Sequence, residues 1–192
     1  IVYVRRKVAL AALGPDQVIP PTLGDVPTDV IEAGDVSILA TDIAAHRAKH
    51  RPVVGGVSCG SSIPFTGAGT AGLPLVYRNG LPGLLSNRHV LCPTWLNPFP
   101  RDPNFVWKGS KSRQPASLDG GTRDDDIAET QDLVPIVPGQ DNDIDADFAS
   151  YLPGQEGQAQ LLGLATYSSL GDPEPGMIVA KSGRTSGVTT GR

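Results

Sequence analysis

Short apolar runs separated by glycine, proline and polar residues form the dominant pattern of the chain, and few windows show the 3.6-residue period of an amphipathic helix. Two such runs flank Asn79-Gly80, a dipeptide that favours a tight turn, and they predict a β-hairpin. Segments 28–40 and 126–138 predict further strands, and segment 176–192 predicts a strand, a tight turn and a second strand. The pattern predicts an all-β fold, either a closed barrel or a sandwich.

The composition supports this fold class and narrows the range of functions. The 192 residues include 23 Gly and 18 Pro, which suits short strands joined by turns. A net charge of -4 argues against a nucleic-acid binder, because no basic stripe is available to meet phosphates. No apolar run is long enough to span a membrane, and the absence of a visible secretory signal favours the cytoplasm. Cys59 and Cys92 either pair or stay as free thiols.

His89 is the first candidate for a catalytic group. It lies in LLSNRHVLC, which predicts an apolar strand that ends at the histidine, and a partly shielded imidazole at such a position suits a general base. Further along the chain, Asp143, Asp145 and Asp147 alternate, which predicts a strand with three carboxylates on one face. Because like charges raise one another's pKa values, we expect only one of these carboxylates to lie buried beside the histidine.

Ser58 is a candidate nucleophile of another kind. Residues 56–60 fit the pattern G-x-S-x-G, the nucleophile elbow of α/β-hydrolases. The chain order Ser58, His89, Asp145 matches neither the order of that fold nor the order of chymotrypsin, which weakens the match. We therefore expect Ser58 to be a structural residue on the first strand of the folded core, and an esterase that uses it stays as an alternative.

Two patterns suggest metal ligands, and both are incomplete. The acidic run that begins at Asp141 opens like a calcium loop, but Ala146 and Leu152 stand where such a loop needs Gly and Glu. His46 and His50 are four residues apart, and no third ligand is evident near them. We expect this histidine-containing stretch to be a solvated, charged connection between an N-terminal arm and the folded core.

Several segments resemble one family of proteins. The tail KSGRTSGVTTGR resembles the opening of the second β-barrel in bacterial and plant trypsin-like serine proteases related to the plant narrow-leaf type, which carry K-S-G-R-T-T-G-x-T-x-G there. PVVGGVSCGSS, TAGLPLVYRNGLPGLLSNRHVL and NDIDADFAS are similar to that family's first strand, histidine hairpin and aspartate strand. The resemblance implies a chymotrypsin-like fold with an N-terminal arm over residues 1–50, a first β-barrel over 51–157 and the start of a second over 158–192.

The same resemblance implies serine-type hydrolysis of a peptide or protein, without a metal or an organic cofactor. His89 would be the general base. The family's register makes Asp145 the acid that orients it, whereas the D-x-A run that begins at Asp147 favours Asp147, and both stay open. The family's nucleophile lies in a G-D-S-G-like segment that does not occur in this sequence. The serine is then expected on a C-terminal part beyond Arg192, which is either a continuation of this chain or a separate chain after cleavage there, with self-processing as one route.

Two other interpretations follow from the missing serine segment. The chain can be a protease-derived scaffold or assembly subunit with an incomplete triad, or the Ser58 esterase described above. The sequence does not fix the substrate, and it leaves a homo-oligomer open.

Overall fold

The structure is a computed structural model that describes residues 2–32, 43–62, 67–92, 109–133 and 139–191. The N-terminal strands are β1 (Val2–Val4), β2 (Thr22–Leu23), β3 (Val26–Pro27) and β4 (Val30–Glu32). The central strands are β5 (Val53–Gly55), β6 (Ser58–Ser61), β7 (Gly69–Thr70), β8 (Leu73–Arg78), β9 (Leu81–Ser86), β10 (Lys111–Arg113), β11 (Asp126–Leu133) and β12 (Asp147–Tyr151). The last strands are β13 (Gly157–Leu161), β14 (Val179–Gly183) and β15 (Gly187–Gly191). The α-helices are α1 (Ile43–Arg47) and α2 (Arg88–Leu91), and 3₁₀ turns span Leu10–Ala12, Pro15–Gln17, Ser117–Asp119 and Arg123–Asp125.

Seven of these strands form one curled antiparallel sheet in the order β7-β6-β10-β11-β12-β9-β8, which has the shape of half a barrel. Strand β13 lies outside this sheet and pairs in parallel with β5. The boundary predicted after residue 157 therefore falls at the first residue of β13, a strand that is hydrogen-bonded to the beginning of the core. The predicted β-rich fold class is confirmed at the level of a mostly β structure with a curled sheet.

The hairpin predicted around Asn79-Gly80 is confirmed. Strands β8 and β9 pair antiparallel up to Arg78 and Leu81, and the two residues between them have φ angles of 50° and 79°. A two-residue turn with both φ angles positive matches the twist of the flanking strands, which explains the preference for Asn-Gly there. The hairpin delivers the chain to the end of β9, next to the candidate histidine.

Small apolar side chains build the core beneath the sheet. Its buried members are Val53, Val54, Val57, Cys59, Ala71, Leu84, Leu91, Ile127, Ala128 and Ala149. Complete burial of a Leu or an Ile side chain stabilises the fold by about 1.5–3 kcal/mol. Strands β5 and β6 both contribute residues to this core. This agrees with the prediction that the segment around Ser58 begins the folded core.

The histidine-containing stretch before β5 differs from the solvated connector predicted for it. Helix α1 lies within it, and the His46 side chain is only 2% exposed, with ring Nδ1 2.8 Å from the carbonyl oxygen of Gly56. Arg47 and Lys49 are exposed as expected. The stretch packs against the core because one helical turn directs His46 inward while its charged neighbours remain in water.

The structure describes two further predicted strand segments in part and the predicted tail hairpin in full. Of segment 28–40, the structure has β4 at Val30–Glu32, and residues 33–42 lie outside the described part of the chain. Of segment 126–138, β11 covers the first eight residues, and residues 134–138 lie outside it as well. The strand, turn and strand predicted in the tail are confirmed as β14 and β15. In the described ranges, no helix is long and apolar enough to cross a membrane.

Candidate functional site

His89 lies on the short helix α2 and not on the strand that precedes it. The last residue of β9 is Ser86, and Asn87 keeps an extended backbone before the chain turns into the helix. The turn buries Arg88 and Leu91 on the inner side of the helix, while His89 faces outward with its side chain 44% exposed. The sequence predicts a strand that ends at the histidine, but the strand ends at Ser86 and His89 lies on the short helix that follows. The turn into this helix buries Leu91.

Asp145 lies beside His89 and binds it at two points. Its Oδ2 atom is hydrogen-bonded to ring Nδ1 of His89, and its Oδ1 atom accepts the backbone N–H of His89 at 3.1 Å. The backbone N–H groups at the beginning of a helix have no partner within the helix, and this carboxylate accepts one of them. Asp145 therefore fixes both the ring and the helix that carries it.

The electrostatic setting of Asp145 favours its ionised form. Partial burial pushes the pKa of this carboxyl upward, but hydrogen bonds from the His89 ring and from the backbone of His89 and Arg88 outweigh that effect and hold the pKa below its usual value. An ionised Asp145 accepts the Nδ1–H of the imidazole. The tautomer that carries its proton on Nδ1 leaves Nε2 as the basic nitrogen, which a general base requires.

Asn87 is a third member of the site that the sequence did not indicate. Its side-chain Nδ2 donates to the backbone oxygen of Asp145 at 3.1 Å and approaches Oδ2 of the same residue at 3.4 Å. Asn87 precedes helix α2, yet its side chain makes no capping bond to that helix. It instead ties the aspartate loop to the helix that carries the histidine.

Asp147, unlike Asp145, is buried within the sheet. It is the first residue of β12, its side chain is 1% exposed, and its Oδ2 accepts a hydrogen bond from Thr130 Oγ1 at 2.9 Å. The strand predicted across residues 143–149 begins only at Asp147, where it pairs with Ser86. The partner strand β9 ends there, so Asp143 and Asp145 lie in a loop and not on one strand face. The structure thus brings His89 together with Asp145 and not with Asp147.

An open cleft of about 580 Å³ is lined by Asp145, the partner of His89. Its lining includes Asn87 and the loop around Asp145, together with Lys181 of β14 and Ser186 of the turn between β14 and β15. Leu85 and Ile144 contribute the apolar part of the lining. Its volume lies in the range of ligand-binding clefts in proteins, about 300–1,000 Å³. Because Asp145 lines the cleft and is hydrogen-bonded to His89, the cleft is a candidate for the place where a substrate lies next to this pair.

Ser58 is buried in β6 and belongs to a structural network. Its hydroxyl donates to Asp119 Oδ2 at 2.6 Å and accepts the backbone N–H of Ala116 at 3.0 Å. A nucleophile elbow presents its serine on an exposed strand-to-helix turn, whereas Ser58 is 0% exposed within a strand. This geometry matches the expectation of a structural serine and does not favour the esterase alternative.

The same network anchors the tail hairpin to the sheet. Arg184 donates from Nε and Nη2 to the two oxygens of Asp119, both at 2.6 Å, and its backbone N–H donates to Thr70 Oγ1 at 3.1 Å. These hydrogen bonds hold the pKa of the Asp119 carboxyl below, and that of Arg184 above, its ordinary value. Gly56, with a φ of 84°, allows a second close approach, because a β-carbon there would lie 1.9 Å from Ser182 Oγ.

Other candidate ligands do not come together in the described residues. No group of three or more His, Cys, Asp or Glu side chains with the arrangement of a metal site occurs among them. His50 Nε2 lies 2.8 Å from the backbone oxygen of Ala45. Cys59 and Cys92 are both free and buried, so the pairing that the sequence left open does not occur.

No protein-family model matches the chain, and no curated protein matches it significantly. The functional argument therefore depends on the arrangement of its own residues. Sequence reasoning pointed to His89 and Asp145 but not to Asn87, which binds Asp145, nor to Asp119, which binds Ser58 and Arg184. Arg184 lies in the conspicuous tail motif, whereas nothing in the sequence distinguishes Asp119 from the chain's other acidic residues.

Proposed function

We propose that the chain supplies the general base and its orienting acid to a serine-type peptide hydrolase of trypsin-like fold. The observation that carries the proposal is the hydrogen bond between ring Nδ1 of His89 and Oδ2 of Asp145, a residue that also lines a cleft. The curled antiparallel sheet and the docked tail hairpin are consistent with a first β-barrel followed by the beginning of a second.

In the proposed mechanism, Nε2 of His89 takes the proton of a serine hydroxyl as that oxygen attacks the scissile carbonyl, and later gives it to the leaving amine. Asp145 keeps the ring in the required tautomer and stabilises the imidazolium that forms. No G-D-S-G segment occurs in residues 1–192, so the proposal takes the nucleophile from a C-terminal part beyond Arg192. Arg192 itself lies outside the described residues.

The test is covalent labelling of the full-length protein with a fluorophosphonate probe, with the labelled residue mapped by mass spectrometry. We expect the label on a serine beyond Arg192. Replacement of His89 by Ala or of Asp145 by Asn should lower the labelling rate at least about 100-fold, in line with typical general-base contributions. Asp147→Asn is the matched control for the choice of acid, and a larger loss with it than with Asp145→Asn would contradict the proposed dyad.

Two other outcomes would replace the proposal. Label on Ser58 would support the esterase, against the burial of that hydroxyl. A folded protein without any label would support a scaffold or assembly subunit. The exposed apolar side chains of Leu170, Ile178 and Val179 favour a partner surface in that case. Equal cleavage after Arg192 in the wild type and in His89→Ala, measured by intact mass, would exclude self-processing.

A further inference from the structure

Three polar side chains converge over Gly183, which is the last residue of β14 and lines the cleft. The position that a β-carbon of Gly183 would take lies 3.3 Å from Ser186 Oγ and 3.7 Å from both Lys181 Nζ and Thr70 Oγ1. All four residues line the cleft. Because glycine has no side chain, no atom of Gly183 occupies that position, and an acceptor atom placed near it would have all three groups around it. We call these four residues the Gly183 cradle.

The hydrogen bonds already made within the cradle determine what it offers to a ligand. Lys181 Nζ donates to Ser186 Oγ at 2.5 Å, and Thr70 Oγ1 accepts the backbone N–H of Arg184 at 3.1 Å. Each hydroxyl thus has an acceptor site occupied and its own proton to donate, and an ammonium group has three protons and no acceptor site. The cradle is therefore a set of donors around one point, which suits a negatively charged oxygen.

The charge around the cradle indicates which anion fits. Among the described residues that line the cleft, Lys181 is the single cation, and Asp145 contributes a carboxylate. Arg184 is adjacent, but its Nε and Nη2 donate to Asp119 and its Nη1 donates to Thr185 Oγ1. One positive charge opposite one negative charge favours a monoanion over a phosphate dianion, for which Arg forks are the better partner. We propose that the Gly183 cradle binds the carboxylate of a peptide ligand that lies in the cleft.

This inference rests on the proposed function only in naming the ligand a peptide. The test measures binding, so it does not depend on hydrolysis. Full-length protein carrying His89→Ala is titrated with N-acetyl-trialanine, with the same peptide ending in an amide, and with inorganic phosphate. The amide resonances of Gly183 and Ser186 are followed by NMR. We expect saturable shifts with the free carboxylate only.

Substitutions in the cradle distinguish binding at this site from a general effect of the protein's positive charges. Lys181→Met should weaken binding about tenfold or more, as expected for loss of a hydrogen bond to a charged group. Gly183→Ala places a methyl group in the cradle while all three donors remain, and it should abolish the shifts. Lys111→Met removes an exposed lysine from β10, which does not line the cleft, and should leave binding within about twofold of the parent.

The possible results separate this inference from the proposed function. Equal binding of the amide-ended peptide, or parent-like binding by Lys181→Met and Gly183→Ala, would overturn the cradle. Tighter binding of phosphate than of the peptide would overturn the choice of carboxylate. Carboxylate binding with the expected variant pattern would support the cradle even if the protein proved unreactive in the labelling experiment, which would remove the proposed function alone.

Discussion

Replacement of Arg184 by Met is the sharpest test of how the tail hairpin is held to the sheet. Arg184 and Asp119 have side chains that are 12% and 7% exposed, and two hydrogen bonds of 2.6 Å join them. The variant keeps most of the side-chain volume but leaves the carboxylate of Asp119 with the hydroxyl of Ser58 as a remaining donor.

The expected loss of stability in Arg184→Met follows from the burial of the ion pair between Arg184 and Asp119. Removal of one partner from a buried ion pair typically costs about 3–5 kcal/mol, because it leaves a charge without compensation. Ser58 continues to donate to Asp119, so we expect the lower end, about 3 kcal/mol. For a chain of this size that corresponds to a fall in the melting temperature of about 6–12 °C. Arg123→Met, at an exposed position on a 3₁₀ turn, should stay within about 0.5 kcal/mol of the wild type.

The assay is urea unfolding of the wild type and the variants, together with hydrogen exchange of the amides in the β14–β15 turn. A cycle that adds Asp119→Asn and the double variant isolates the pair, because partners in contact give non-additive losses. Additive losses, or a loss no larger than that of Arg123→Met, would refute this account of the anchor. Loss of global stability with unchanged exchange in the turn would also refute it, since the pair would then not hold the hairpin.

The pH dependence of the same pair gives an independent check. Hydrogen bonds from Arg184 and Ser58 lower the pKa of Asp119 below its ordinary 3.8 in the folded state, although burial opposes them. A lowered folded-state pKa gives stability that is present above the unfolded value and is lost as the pH falls through the folded one. The stability difference between the wild type and Arg184→Met should therefore shrink below about pH 4. If the stability difference between the wild type and Arg184→Met grew on acidification, it would contradict a lowered pKa of Asp119 in the folded state.

Three further predictions concern other parts of the described structure. Asn87→Ala should broaden the Nδ1–H proton resonance of His89 at low temperature while the global stability changes little, and an unchanged resonance would contradict a positioning role. Lys49 and Thr122 lower the pKa of Asp125 to about 2, so the stability advantage of the wild type over Asp125→Asn should disappear between about pH 4 and pH 2 in acid titrations. Burial raises the pKa values of Cys59 and Cys92 to about 12 and about 11. Native protein at pH 8 should therefore react with iodoacetamide far more slowly than unfolded protein, and comparable rates would contradict their burial.

The parts of the fold that the sequence predicts are those specified by neighbouring residues. The hairpin at Asn79-Gly80 and the tail hairpin each need only a turn and two adjacent runs, and both are confirmed. Helix α2 was missed because four residues carry no helical period, and its existence depends on a tertiary contact that buries Leu91. The inward direction of His46 was missed for a similar reason, since its partner is a backbone oxygen ten residues away.

The choice between Asp145 and Asp147 shows where sequence reasoning stops. Alternation treats the two carboxylates as equivalent positions on one strand face, and their equivalence ends because β9 stops at Ser86. Beyond that pairing, Asp145 has no strand to continue and turns toward the helix that begins where β9 ends. Asp147 remains in the sheet and is satisfied there by Thr130. The position of the histidine and the identity of the carboxylate that binds it thus have one common cause, which is the residue at which strand β9 ends.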